Sequence, residues 1–194
     1  MTARRACLLL LAALAATGCD REPPAPPAPV IAAPRAAPSF AALGDLVYPL
    51  SGSAPDRVLL TLKGGRFEPS LETPDEERLV AMAELEALHA VGDLDGDGSP
   101  DAAVVLAWSG GGSGTFYELF AVLNEASGLR ALDGALLGDR IDLKSIVVQT
   151  GRIRIGYIGA GPDDAACCPS KTFDKAWAIE AGKLVEVPVP PPSL

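Results

Sequence analysis

Residues 92–101 read Gly-Asp-Leu-Asp-Gly-Asp-Gly-Ser-Pro-Asp. Counted from Asp93, carboxylates stand at loop positions 1, 3, 5 and 9, and Gly98 stands at position 6. Ionised carboxylates this close in sequence repel one another, and a hard divalent cation relieves the repulsion by taking their oxygens as ligands. Alternate spacing suits a tightly wound loop that turns an oxygen inward at every second residue. The expected Ca²⁺ ligands are Asp93, Asp95 and Asp97, the backbone carbonyl of Ser99, and Asp101 directly or through water. Gly98 allows a sharp turn that a side chain would obstruct. Position 12, which carries a bidentate glutamate in an EF-hand, is Val104, and the run after the loop is apolar. The loop is therefore expected to lead into a strand rather than a helix, and the ion to fix the turn at that strand's start.

Other residues offer weaker chemistry. Cys167 and Cys168 are adjacent and precede Pro169. In an oxidising compartment they form either a vicinal bridge in a strained ring or two free thiols in a tight turn. Gly110 to Gly114 lacks the Lys-Ser/Thr of a phosphate loop and has no helix after it, so it reads as a hairpin tip. Asp163-Asp164, after Gly161-Pro162, reads as a polar turn that could also touch an ion. Gly138-Asp139-Arg140 reads as a turn with a local ion pair. His89 is the single histidine of the chain. A Ser-His-Asp triad would have to use it, and no serine lies in a nucleophile-elbow sequence. Trp108 and Trp177 read as core or strand-end aromatics.

The segments that must position these residues are short and apolar. Val58, Leu60 and Leu62 alternate with Leu59, Thr61 and Lys63, and Gly64-Gly65 turns the chain towards Arg66-Phe67. Ala102 to Trp108 and Thr115 to Leu123 are nearly all apolar, which predicts central strands buried on both faces. Thr150-Gly151 separates Ile146–Gln149 from Arg152–Ile158, and Ala181-Gly182 separates Ala176–Ile179 from Leu184–Val187. Both are hairpin signals. Ile153, Ile155 and Tyr157 fall on one face, and Arg152 and Arg154 on the other. Thr73-Pro74-Asp75-Glu76 has the cap, proline and early acids of a helix start. Residues up to His89 have helical propensity, yet Leu85, Ala87, His89 and Val91 stand at alternate positions, with Glu84 and Glu86 on the other face. A helical turn followed by a strand into the aspartate loop is the reading adopted. The fold class expected is all-β, mostly antiparallel: a meander, sandwich or open barrel, preceded by a signal helix and a Pro-rich linker.

The N-terminus bounds the setting. Arg4 and Arg5 precede a ten-residue apolar run, Cys7 to Ala16, too short to span a bilayer as a mature helix. Ala16-Thr17-Gly18-Cys19 then resembles the lipobox of bacterial lipoproteins. That resemblance implies cleavage after residue 18, diacylation of Cys19 and firm attachment to a membrane. Asp20, directly after the cysteine, resembles an inner-membrane retention signal. Residues 19–38 form a Pro-rich linker, with seven prolines between Asp20 and Pro38. At ~3.1 Å per residue in polyproline II this spacer reaches roughly 60 Å. Residues 39–187, about 150 of them, suffice for one domain with a real core. Residues 188–194 are a Pro-rich tail. The net charge of −9 becomes more negative once Arg4 and Arg5 leave with the signal. Such acidity argues against nucleic acid as a partner.

The loop and the apolar residues after it resemble the calcium loops of FG-GAP and VCBS repeats. In those repeats the positions matching Asp93, Asp95, Asp97, Ser99 and Asp101 bind Ca²⁺ between strands. The chain has no internal repeat, so a complete propeller is not expected. With its Gly-Gly-Gly-Ser-Gly turn, Leu-Gly-Asp-Arg and Cys-Cys-Pro, it also resembles uncharacterised exported lipoproteins. The leading expectation is an envelope lipoprotein whose Ca²⁺-stabilised β-domain is a binding or structural module for an envelope protein or glycan. Its expected location is the periplasmic side of the inner or outer membrane. Two alternatives stand beside it. One is an exported metal-dependent hydrolase using the aspartate cluster with His89 or Asp163-Asp164. The other is a thiol redox protein using Cys167-Cys168.

Overall fold

The computed structural model describes residues 33–51, 58–70, 73, 79–165 and 168–189. The signal segment, Cys19, most of the linker, Pro74–Glu76, Cys167 and the end of the proline tail lie outside the described residues. Ala33 onwards forms one compact unit. Among the described residues its elements are one helical turn and twelve strands: α1 (Phe40–Leu43), β1 (Val47–Pro49), β2 (Leu59–Thr61), β3 (Arg66–Phe67), β4 (Met82–Gly92), β5 (Asp101–Ser109), β6 (Phe116–Glu125), β7 (Gly128–Ala131), β8 (Ala135–Asp139), β9 (Asp142–Gln149), β10 (Arg152–Gly159), β11 (Lys171–Glu180) and β12 (Lys183–Val187). The all-β expectation holds, and every pairing between these strands is antiparallel.

Three sheets form. The central one runs β3-β4-β5-β6, and the far edge of β6 is shared: β8 pairs with Phe116–Leu119 and β7 with Val122–Glu125. A second sheet has the order β12-β11-β10-β9, and β1-β2 is a two-stranded sheet. The period of two along β5 and β6 divides their side chains between two cores. Ala102, Val104, Leu106, Phe120 and Val122 face Tyr48, Leu60 and Leu62 of β1 and the β2 segment, with Leu43 of α1. Ala103, Val105, Leu119, Ala121 and Leu123 face Ile146, Ile153, Ile155, Tyr157 and Trp177 of the four-stranded sheet. The central sheet is therefore covered on both sides, and β5 and β6 are the doubly buried strands their sequences predict. Lone charges are costly in such strands, so Glu118 in the middle of β6 stands out as fully buried.

The segment with mixed signals resolves as β4. Helix propensity yields to pairing with β5, although four steps along β4 (Leu85 to His89) match two along β5 (Leu106 to Val104). The turns follow their residues. Thr150-Gly151 and Ala181-Gly182 have φ of 50° and 69°, and of 50° and 75°. Positive φ at both central positions matches the right-handed twist of the flanking strands. Gly92 ends β4 where a Cβ would lie 2.6 Å from Val148 Cγ1, so its lack of a side chain lets the central sheet approach β9 closely.

Candidate metal site

The aspartate loop joins β4 to β5, with Gly92 and Asp101 paired across its base. Its hydrogen bonds come largely from its own carboxylates, which cap the turns of a short polar segment. Asp93 accepts from the N–H of Gly96 (2.7 Å) and of Gly98 (3.0 Å), Asp95 from that of Asp97 (3.1 Å), and Asp97 from that of Ser99 (2.7 Å). Gly96 and Gly98 both have φ of +83°, a conformation in which only glycine is unstrained. Leu94, the loop's apolar second residue, is buried against the core beneath the four-stranded sheet.

Asp101 anchors the arrangement. It is 1 % exposed, and its two oxygens accept from Leu94 N (2.9 Å) and Asn124 N (2.8 Å). It thereby ties the loop to the end of β6. Burial pushes this carboxyl above the usual carboxylate range. The two N–H donors oppose that push, while Asp95 and Asp97 add to it by repulsion.

Of the four carboxylates expected to converge, three do. One oxygen each from Asp93, Asp95 and Asp101 lies within 4.8 Å of the others. Asp97 is turned away onto the guanidinium of Arg35. The N–H of Ser99 first, and that guanidinium after it, hold the Asp97 carboxyl below the usual range against the push of desolvation. Ser99 is buried, and its hydroxyl accepts from Arg35 N at 3.4 Å. Arg35 also donates to Asn124 O, and Asn124 Nδ2 donates to Ala36 O (2.8 Å) and Pro100 O (3.1 Å). The end of the Pro-rich segment is thus laid along the loop. Nothing in its composition announces this, because the partners are 62 and 89 residues away.

The three converging groups are hard oxygen donors, the set that suits Ca²⁺ or Mg²⁺ and is poor for softer metals. Each offers lone pairs beyond those used by the backbone. Three protein carboxylates fall short of the six to eight oxygens Ca²⁺ takes, leaving room for backbone carbonyls and water.

The other candidates fall elsewhere. His89 Nδ1 lies 2.9 Å from Ala87 O, and its ring packs against Phe40 with centroids 5.0 Å apart. Among the described residues it joins no group of three metal-ligating side chains; the aspartate trio is the one such group. Asp164 clamps its own loop: it accepts from Gly161 N (2.7 Å), Ser170 N (2.7 Å) and Ser170 Oγ (2.8 Å). The Gly161 N–H first, then Ser170, hold its carboxyl below the usual range. Cys168 is exposed, and its N–H bonds Ala165 O at 2.9 Å. Gly110–Gly114 is the β5–β6 hairpin tip. Asp139 pairs with Arg140 and also accepts from Thr115 N at 2.9 Å, beside that tip.

Sequence reasoning missed Glu118. One oxygen accepts from Ser51 N and the other from the Trp108 indole N–H (3.3 Å), and the Ser51 hydroxyl also favours its ionised form. Burial outweighs these donors and raises its pKa. The backbone of Gly134 presses so close to the carboxyl that a Cβ there would overlap it. The available signal was a single acid within an apolar run already read as buried on both faces. No family model, curated protein or solved structure matches this chain.

Proposed function

We propose that this domain is a calcium-stabilised β-module, carried on a lipid-anchored stalk outside the cytoplasm, that acts by binding or scaffolding rather than by catalysis. The observation that carries the calcium reading is the convergence of Asp93, Asp95 and Asp101 within 4.8 Å at the first residue of a doubly buried strand. The loop's likeness to FG-GAP and VCBS loops supports the same ion. The Ala16-Thr17-Gly18-Cys19 sequence supports the anchor. An ion here would link the start of β5 to the end of β6 through Asp101 and Asn124. It would offset the mutual repulsion of the trio, which makes its role one of stability. The hydrolase alternative has less support among the described residues: His89 packs against Phe40 with Nδ1 beside Ala87 O, and Asp164 of the Asp163-Asp164 pair clamps its own loop.

Exposed modules of this kind hold Ca²⁺ with Kd of about 10⁻⁴ to 10⁻³ M. Calcium at about a hundredfold excess over Kd then adds ~2.7 kcal/mol to the folded state. For a domain of this size that raises the melting temperature by roughly 5 to 10 °C. Asp93→Asn with Asp95→Asn is expected to abolish the shift, measured against the variant's own calcium-free melting temperature, since the change removes one Asp93 acceptor oxygen and also eases the repulsion. An undiminished shift in the double variant would place the ion elsewhere, and no shift in the parent protein would end the calcium reading.

A further inference from the structure

We infer that the apolar pocket over Glu118 is a binding site for a small organic cation: a primary amine carried on an aliphatic or aromatic body. The pocket lies on the opposite face of the central sheet from the four-stranded sheet. Its volume is about 260 Å³, room for a handful of heavy atoms. Leu50, Val58, Val80 and Leu136 supply aliphatic wall, and Trp108 and Phe116 supply ring faces. The two rings pack at 34° with centroids 4.8 Å apart. Apolar walls with one or two convergent polar groups are the usual make-up of a small-molecule site.

Glu118 lies behind Ser51 and Trp108, two residues that line the pocket and donate to its carboxyl. Phe116, Glu118 and Phe120 follow one another at alternate positions of β6, so they share the face that meets Tyr48 and Leu60. Leu136 is the cross-strand partner of Glu118 on β8. Ser51 and Trp108, which donate to its two oxygens, are themselves pocket-lining residues. The carboxyl therefore sits directly behind the wall, fully buried. Among the described residues no lysine, arginine or histidine pairs with it. A buried carboxylate without a counter-cation is costly, and the cost is removed by protonation or by a cation arriving from outside. The surroundings favour the second course. Ser51 and the indole offer donors, which stabilise an anion, and two aromatic rings are part of the pocket lining, which suits a cation. The indole bond, at 3.3 Å, is the long one. An incoming ammonium would replace it at Glu118 Oε2 and leave Ser51 in place. A neutral ligand gains the apolar walls without the charge pairing, and an anionic one is opposed by the carboxylate.

The inference is independent of the calcium reading, since no aspartate of the loop lines the pocket. The test uses the full-length protein, with n-hexylamine as the probe and n-hexanol as its uncharged match in size. Calorimetry and tryptophan fluorescence are expected to show one hexylamine bound per chain at least tenfold more tightly than hexanol. Glu118→Gln is expected to bring the two ligands to equal affinity. Leu136→Trp, at a half-exposed position of the pocket mouth, is expected to block both ligands with Glu118 intact and the fold undisturbed. Equal binding of amine and alcohol to the parent protein, no binding of either, or an amine preference that survives in Glu118→Gln would each overturn the proposal.

Discussion

At the scale of single residues, two carboxyls shift in opposite directions, each for a visible reason. Glu118 lies in an apolar core, and burial raises its pKa above the value in the unfolded chain. Between the two values the native protein binds the proton more tightly, so stability falls as the pH rises through that window. Below the unfolded value both states are protonated, and this loss is absent. Glu118→Gln cannot ionise. The melting temperature of that variant is therefore expected to gain on that of the parent as the pH goes from about 4 to about 8. A difference that stays constant over that range would show that the native carboxyl ionises as readily as in the unfolded chain. Asp164 has the other sign. The N–H of Gly161 and the groups of Ser170 favour its charged form, so the stability it supplies is present above the unfolded value and lost as acid titrates the folded one. Carboxyl resonances followed by NMR should show Asp164 titrating below the ordinary aspartate range and Glu118 above the glutamate range.

At the scale of elements, the hairpins are set by backbone sign. The β9–β10 turn places Thr150, a β-branched residue, at φ of 50°. That conformation crowds Cβ against the backbone and costs about 1 to 2 kcal/mol for residues other than Gly, Asn and Asp. The Thr150 side chain is exposed and bonds only Gln149 O, at 2.8 Å. Thr150→Asn, which fits this turn type, is expected to stabilise the protein by ~1 kcal/mol in denaturant unfolding. A neutral or destabilising result would mean that the Thr150 hydroxyl contributes as much as its strain costs. The turn also approaches the aspartate loop, since the Cβ position of Gly151 lies 3.8 Å from Leu94 O. Changes in one are therefore felt by the other through packing rather than through any shared ligand.

At the scale of the whole molecule, Arg35 ties the end of the Pro-rich segment to the aspartate loop. Its guanidinium takes Asp97 and Asn124 O, and its neighbour's carbonyl takes Asn124 Nδ2. A fixed positive charge beside a cation site lowers that site's affinity, and it also holds one expected ligand away from the trio. Arg35→Ala is expected to tighten Ca²⁺ binding about fivefold by calorimetry, the effect of ~1 kcal/mol for one nearby charge in a wet setting. Weaker binding in Arg35→Ala would show instead that the guanidinium braces the loop in its binding shape. Exposed or half-exposed pairs elsewhere, among them Arg66–Glu84, Arg154–Asp174 and Lys175–Glu186, are screened by solvent and contribute little.

Local pattern alone determined a good deal here. The alternation Val58-Leu60-Leu62, the apolar runs that became β5 and β6, and the paired turn residues Thr150-Gly151 and Ala181-Gly182 each specify their element without outside help. Period and positive φ are properties of a few adjacent residues. The candidate ion loop was legible for the same reason: its ligands lie within nine positions of one another. Contacts between distant segments were another matter. β4 is a strand because β5 pairs with it, although its composition favours helix. β7 and β8 exist by sharing the open edge of β6. Asp97 faces Arg35 rather than its neighbouring carboxylates, and Glu118 is enclosed by Ser51, Trp108 and Gly134. Each of these depends on groups brought together from far along the chain, where burial, repulsion and hydrogen bonding act through space, and only the folded structure fixes those distances.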